Sequence, residues 1–563
     1  MKTTTNPKPS NEGLHDTQAE MLLKKYKALS GTRQNFDSYW QDLHEYFYVE
    51  SPNHNTAYYP GTELETGNLY DSTTLESADV LASGFMNYLT PPSAKWFRLR
   101  SKDPRLMDNK EVADFLDDVS DEVYHTLNKS NFYQQMFPSY KSSGVYGTSV
   151  LLEEDDLVDT VRFYSLPLGQ VVIQEDARGR VNEYFVEFEY TPEQAATRWG
   201  KESLAPEMQR EIDSPETNKK YKFLLHIANR DVRDVTKSDK SNMPIMAQWI
   251  DFENKFIIEE GGYNEFPIFT HRFDKRPFIP WGFSPAMKSL PFARLLNAIA
   301  KTNLRAMMKS TDPPIAVPHN AFIMPFNSNP RALNYYKKTS MDSAKDVFAF
   351  SNFGDPATGM AAIEYYTKQV KALMYNDIFL TFENLTKQMQ NPEVQERINE
   401  KMAMLGPAVG RVTGEMLNPI VIRTIGILQR AGKLPPVPDA LLENPAFDID
   451  YVSQLAQAQK RSELNALMSG LGLVGQMAGV EPAVTDKVNA DNAIDEAWDI
   501  LGAPVKVLRD DQEVEDIRAN RAEMAAKQQE LEIAQQMASA GKDAAAADES
   551  LARAAERSTT QIA

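Results

Sequence analysis

Two changes of hydrophobic period divide the chain and fix what it can fold into. Up to Gly144 apolar side chains recur every three or four residues, from there to Phe283 they largely alternate, and from Ser284 the helical spacing returns. Helices, then a block of strands, then longer helices predict a mixed α+β chain that is mainly helical, with its strands gathered in one region. The first helix is expected from Thr17 to Phe47 on Leu22, Tyr26, Leu29, Phe36, Trp40, Leu43 and Phe47. A second runs from Thr73 to Leu89 and stops at Pro91 and Pro92, which cannot continue it. A third covers residues 111–128 with Val112, Phe115, Leu116, Val119, Val123 and Leu127 on one face. Residues 1–16 are polar and read as a disordered tail.

Strand character follows at Ser149–Leu152, Thr160–Tyr164, Gln170–Gln174 and Tyr184–Tyr190, with a polar turn at Asp176–Arg180, so this block reads as an antiparallel meander. Ile245–Phe252 and Lys255–Glu259 add a hairpin about Glu253 and Asn254.

The second half is built from long periods. Residues 284–310 carry no acidic side chain and place Leu296, Ile299, Ala300, Leu304, Met307 and Met308 on one stripe, a helix of about 40 Å. It ends at Asp312–Pro314. Residues 311–357 hold six prolines and read as an irregular, partly β excursion. A helix returns at 358–380, a polar interval occupies 381–391, and a periodic stretch from 392 to 432 would span on the order of 60 Å, bent at Pro407 and Pro419. Arg509–Ala563 is rich in Ala, Glu, Gln and Arg and reads as exposed helix fading into disorder, flexible from 536.

Composition excludes several classes. The 563 residues suffice for two to four domains, and the net charge of −19 is opposite to the cationic balance of a protein that grips nucleic acid. An acidic wall with local basic rings would instead let DNA slide past. With no cysteine, disulfides, thiolate metal sites and cysteine nucleophiles are ruled out. Met1–Asn11 lacks the apolar core of a secretion signal, and no run approaches the ~18 apolar residues of a membrane span. A P-loop needs Ser or Thr after Gly-Lys, and Gly200-Lys201, Gly432-Lys433 and Gly541-Lys542 all lack it. Seven scattered histidines show no metal spacing, so no cofactor is expected. The acidic runs Glu153–Asp156 and Asp448–Asp450 read as solvated loops, and Gly144–Ser149 as a structural turn.

Several segments, in order, resemble the portal (head-to-tail connecting) family of short-tailed, T7-like bacteriophages. They are Leu69–Thr73 (LYDST), Leu81–Gly84 (LASG), Leu89–Leu99 (LTPPSAKWFRL), Tyr146–Ser149 (YGTS), Glu265–Ile268 (EFPI) and Trp281–Pro285 (WGFSP), where Trp281 stands in place of the usual Tyr. Leu405–Pro407, Glu415–Pro419, Leu434–Pro438, Gln454–Lys460 and Asn489–Pro504 carry the likeness to near residue 530. Met389–Val394 departs from it, since relatives more often carry a Thr-rich sequence there.

The resemblance implies a portal-type subunit: a wing at 17–283, a two-helix stem at 284–310 and 358–380, and a clip at 311–357. A tunnel loop at 381–391, a long wing helix at 392–432 and a helical crown at 433–535 complete it. It implies a virion protein at the head-tail junction, assembled in the host cytoplasm and without enzymatic activity. Partners would be a homo-oligomeric ring of 12 subunits, the capsid protein, the terminase packaging ATPase, a tail adaptor protein and double-stranded DNA passing without sequence specificity.

Arg294, Lys301, Arg305 and Lys309 lie on one stripe of the first stem helix, and ring closure would stack them as basic girdles touching phosphates. The competing reading pairs them with acids of the neighbouring subunit. Lys387, Gln388 and Gln390 in the tunnel loop are candidate DNA contacts, against a plain helix connection. In the clip, Pro313, Pro314, Pro318 and Phe322 would offer docking surface to the ATPase and tail adaptor, unless the prolines only rigidify. A virion scaffold or internal core protein without a channel remains the alternative function, and a carboxylate-dependent nuclease or hydrolase would need clustered acids.

Overall fold

The computed structural model describes residues 12–49, 66–103, 106, 109–213, 219–234, 236, 237, 239–312, 315, 316, 335, 348, 349, 356–379, 404–443, 447–452, 454–478, 487–501, 509 and 511–559. In chain order the N-terminal helices are α1 (Glu12–Phe47), α2 (Thr73–Leu89), α3 (Lys110–Lys129) and α4 (Phe132–Tyr146), with strand β1 (Phe97–Ser101) between α2 and α3. The strand region holds β2 (Thr148–Asp156), β3 (Thr160–Leu166), β4 (Val171–Glu175) and β5 (Val181–Tyr190), then short helices α5 (Pro192–Trp199) and α6 (Pro206–Asp213). It closes with β6 (Tyr221–Asn229), β7 (Ile245–Asp251), β8 (Ile257–Tyr263), β9 (Ile268–Arg272), β10 (Asp274–Lys275) and β11 (Gly282–Phe283).

α7 (Pro285–Thr311) and α8 (Pro356–Leu373) flank the two-residue strands β12 (Ile315–Ala316) and β13 (Phe348–Ala349). Residues 404–430 are helical throughout, with a π-turn at Thr413–Leu417 leading into α9 (Asn418–Arg430). Beyond lie α10 (Asp439–Glu443), β14 (Phe447–Tyr451), α11 (Gln454–Ala478), α12 (Ala490–Leu501) and α13 (Asp511–Thr559). The fold is mixed α+β and mainly helical, as the periods require.

α2 has the expected bounds, while α1 starts five residues before the expected Thr17, so residues 12–16 belong to a helix and not to a tail. The expected meander divides. β4 to β8 form a five-stranded antiparallel sheet in sequence order, whereas β2 sits between β3 and β9 in a separate antiparallel sheet of three. Asp176 closes the β4–β5 turn by accepting the amides of Arg178 and Arg180, and Asp251 does the same for Glu253 and Asn254.

Helix α4 follows no expected element. It is buried from Ser139 through Tyr146 and carries Pro138 inside, so it shows neither a polar face nor an uninterrupted helical sequence. Gly147 ends it with φ 84 in the left-handed region, the cap geometry that glycine adopts without strain. Here the backbone crosses that of Gly282: a Cβ on Gly147 would lie 2.4 Å from the Gly282 carbonyl oxygen, and one on Gly282 would lie 2.0 Å from that of Gly147. Trp281 packs edge-on against Trp40 at 5.0 Å, and Ser284 caps α7 through the Met287 amide. The root of α7 is thus fixed in the main core.

α7 and α8 run antiparallel, since Phe292 meets Tyr366 while Asn303, farther along α7, meets Gly359. At 27 residues α7 is about 40 Å long. β12 pairs antiparallel with β13 at the far end of this rod. The second rod helix is not continuous to residue 380: it breaks at Met374 and Tyr375, where Tyr375 adopts φ 59, and helical backbone resumes for 376–379.

In the long helix Pro419 has no amide proton and its ring would crowd the carbonyl four residues back, so the chain widens to a π-turn in which the Asn418 amide reaches Thr413. Its first part, 392–403, lies outside the described residues. Within the region expected as crown from 433, β14 pairs along its whole length with β1. α13 runs 49 residues to Thr559, so the tail expected from 536 continues as helix, its Ala, Glu, Gln, Lys and Arg content outweighing the single Gly541.

Gly147→Ala should lower the melting temperature, because a left-handed alanine costs about 1–2 kcal/mol before the clash with Gly282 is counted. An unchanged melting curve would contradict the crossing.

Candidate functional site

The basic stripe of α7 is divided by what covers it. Arg294 pairs with Asp42 of α1 at 2.7 Å, and both are about half exposed, so the pair contributes little. One turn on, Asn297 accepts the Tyr70 amide at 2.7 Å and donates to the Asn68 carbonyl at 2.9 Å. The Lys301 ammonium then lies 5.0 Å from the centre of the Tyr70 ring. This half of the stripe therefore rests on the same chain, which explains the LYDST segment at 69–73 as a strap across the rod. Arg305 and Lys309 stand beyond the strap and are exposed, together with Leu304, Met307 and Met308. Met360 and Tyr365 are exposed on α8.

At its other end α8 is hooked into the body. After the break at Tyr375, Phe379 presses on Gly84, whose added Cβ would lie 2.3 Å from the ring, and stacks on Tyr88 at 6.0 Å. This close approach accounts for the glycine of the LASG segment. Lys387, Gln388 and Gln390 follow Phe379 in sequence and lie outside the described residues, as do Pro313, Pro314, Pro318 and Phe322.

Two buried arginines, neither singled out by the sequence pattern, hold the long helix. Arg272 at the end of β9 donates to Glu415 of the π-turn through its backbone amide at 3.0 Å and its side chain at 3.1 and 2.8 Å. It also pairs with Glu175, which Lys275 meets at 2.5 Å. Arg423, 1% exposed, donates to Asp155 at 2.9 Å and to the Glu265 carbonyl at 3.1 Å, and faces the Tyr263 ring. Arg430, about two helical turns beyond, grips the Glu265 carboxylate with two bonds of 2.8 and 2.9 Å.

Beside Arg423 lies Glu153, fully buried and accepting from Thr424 at 3.0 Å. Burial pushes its carboxyl up to about 8, against the pull of Arg423. The acidic run at 153–156 is therefore not a solvated loop: it is the end of β2, with Glu153 in the core, Glu154 on Arg198 and Asp156 folding the turn. Asp448 and Asp450 likewise belong to β14, and Asp450 lies 3.5 Å from Arg98.

These carboxylates serve arginines, and among the described residues no group of His, Asp and Glu is placed to hold a metal. The buried contact of Ser143 Oγ with His271 Nδ1 at 2.8 Å has the elements of a nucleophile and base. Burial depresses His271 to about 3, however, and its charged neighbours are Arg272 and Arg411, with no acid to orient it. The Gly144–Ser149 turn leads into β2 and presents no helix N-terminus to an anion.

The family model for bacteriophage head to tail connecting proteins matches residues 19–508. The chain belongs to that family. It is also 28% identical to the portal protein of Salmonella phage epsilon15 over 534 residues, 94% of this chain and 95% of that one. A protein described as a probable portal protein of Bordetella phage BPP-1 is 29% identical over 517 residues, 90% and 92% of the two chains. For this connector-family chain the exposed far half of the rod and the hooked end of α8 become the features to explain, and no helix among the described residues is long and apolar enough to cross a membrane.

The buried carboxyl gives a pH test of the clamp. Between its ordinary 4.5 and about 8, the folded protein keeps a proton that the unfolded chain has lost, so this group makes stability fall as pH rises through that window. Glu153→Gln should remove that slope and melt higher than the wild type above about pH 8. Parallel melting-temperature profiles for the two proteins would refute the assignment.

Proposed function

We propose that the chain is the portal subunit of a short-tailed phage, closing with further copies into a ring at one capsid vertex that passes the genome in packaging and ejection. The observation that carries this reading is the antiparallel rod of α7 and α8. It is rooted in the core at Gly282 and Phe379 and leaves Leu304, Met307, Met308, Met360 and Tyr365 open to neighbours in a chain matching the connector family over 19–508.

A cyclic ring uses two different patches of each subunit, so the two sides of the rod meet unlike partners and exposed apolar side chains are expected on it. Arg305 is the rod cation best placed to face DNA or a neighbouring acid, since Arg294 and Lys301 are engaged within the chain, and Lys309 lies one turn beyond it on the same stripe. Lys387, Gln388 and Gln390 would form the tunnel loop that meets the duplex, without reading its sequence. The clip with Pro313, Pro314, Pro318 and Phe322 would receive the terminase ATPase during packaging and a tail adaptor afterwards, while the wing meets the capsid protein. Twelve copies would form the ring, assembled in the host cytoplasm. This role requires the chain to make or break no covalent bond.

Negative-stain images of the purified full-length chain should show rings with a central hole, and solid particles or lone monomers would refute the proposal in favour of a scaffold or core protein. Lys387→Glu should leave the rings intact and lower the yield of DNA-filled particles, because a ring of added negative charge would stand in the path of the duplex. A normal yield of filled particles would remove Lys387 from the channel.

A further inference from the structure

The five-stranded sheet carries two unlike surface features on its opposite faces. One face, with Phe185, Leu224 and Ile250, packs Leu23 and Tyr26 of α1. Where α1 passes the β7–β8 turn, a groove of about 150 Å³ is floored by Leu23 and Phe252 and rimmed by Lys24, Lys27, Lys255 and Glu20. The Lys27 ammonium stands 6.0 Å from the Phe252 ring, and Lys255, at φ 57, is 3.7 Å from Glu20. Three lysines against one glutamate make this a positive spot on a chain of net charge −19.

The β2–β3 hairpin lies on the other face: its Glu154 is held by Arg198 at 3.1 Å, and the Arg198 guanidinium lies 4.4 Å from the Trp249 ring, which points away from α1. The tip of this hairpin exposes Leu157 completely and Val158 by 78%. A fully exposed leucine on a flexible loop would mean little, but this tip is rigid. Asp156 accepts the amides of Val158 and Asp159 at 2.7 and 2.8 Å, Lys129 donates to the Val158 carbonyl at 3.3 Å, and Thr160, at φ 75, is tied to Lys433 at 2.6 Å. An apolar pair held in one conformation loses little entropy on docking. Asp155 is engaged by Arg423, leaving Asp156 and Asp159 as the carboxylates that flank the tip.

We propose that the Leu157–Val158 tip of one copy seats in the Lys24, Lys27 and Lys255 groove of the next, as a repeating contact around the ring. The tip supplies an aliphatic side chain with flanking carboxylates, and the groove supplies an apolar floor with a lysine rim, so shape and charge are complementary. Because the sheet separates them, tip and groove of one chain cannot meet. A head-to-tail contact between copies satisfies both, with the two different patches that a cyclic assembly requires. The inference rests on the ring reading above.

The chain has no cysteine, which makes the test clean. In the full-length protein carrying Leu157→Cys and Lys27→Cys, mild oxidation should give a ladder of covalent multimers rising one subunit at a time on a non-reducing denaturing gel. Either single substitution should give dimers at most. Adding Asp159→Lys should reduce the ladder, and adding Lys24→Asp to that chain should restore it. Rings seen in negative stain without a ladder would overturn this contact and leave the ring reading standing, whereas a chain that forms no rings would overturn both.

Discussion

The arrangement of the whole body depends on two guanidinium groups taken out of water. Arg272 and Arg423 each sit on or against the 404–430 helix, and each is surrounded by carboxylates from strands that would otherwise have no reason to keep a fixed distance from it. Desolvating an arginine costs several kcal/mol, so such a cluster is a weak source of net stability and a strong source of geometry: shifting the helix by one turn would strand a buried charge. Apolar packing alone would allow more settings. The π-turn is part of the same cluster, because Glu415, which accepts from the Arg272 side chain, lies within it.

From this fixed body the rod inherits its direction. Its first helix leaves at Gly282, where two backbones cross with no room for a Cβ, and its second returns at Phe379, seated on Gly84. Both anchors are glycines whose requirement is close approach, and both fall in segments that first suggested the connector family. A hairpin about 40 Å long that is held at its root only by a flexible linker would swing. One held by Trp281 on Trp40 at one helix and Phe379 on Tyr88 at the other transmits its orientation to the distal end, where the exposed apolar side chains stand.

Much of this fold was legible in the sequence because period reports burial of one face. α2, α3 and α7 each bury one side, and their expected bounds hold to within a few residues; the expected meander was legible as strands but not as two separate sheets, because alternation does not say which strands pair. The failures share a physical cause. α4 is buried on every side from Ser139 to Tyr146, so it has no stripe to detect there, and the acidic run at Glu153 looked solvated because its counter-charge, Arg423, is 270 residues away. β14 was invisible for the same reason: its pairing with β1 spans the chain and satisfies hydrogen bonds that no local pattern announces. The candidate stripe on α7 was found as a stripe, but the division between covered and open halves required the 66–70 strap to be seen in place.

That division bears on how an acidic protein could carry DNA. The 284–310 segment contains no Asp or Glu, so any negative charge near its cations must come from elsewhere, and for Arg294 it comes from Asp42 of the same chain. Neutralisation within the subunit means that stacking copies in the proposed ring multiplies a dipole at that level, whereas at the exposed Arg305 it multiplies full charge. Because the Debye length is about 8 Å at physiological ionic strength, each level acts on a polyanion almost independently of the protein's overall −19. In the proposed ring a duplex would therefore feel weak, localised attraction at the exposed end of the rod, and such attraction is the condition under which a polymer is centred without being held.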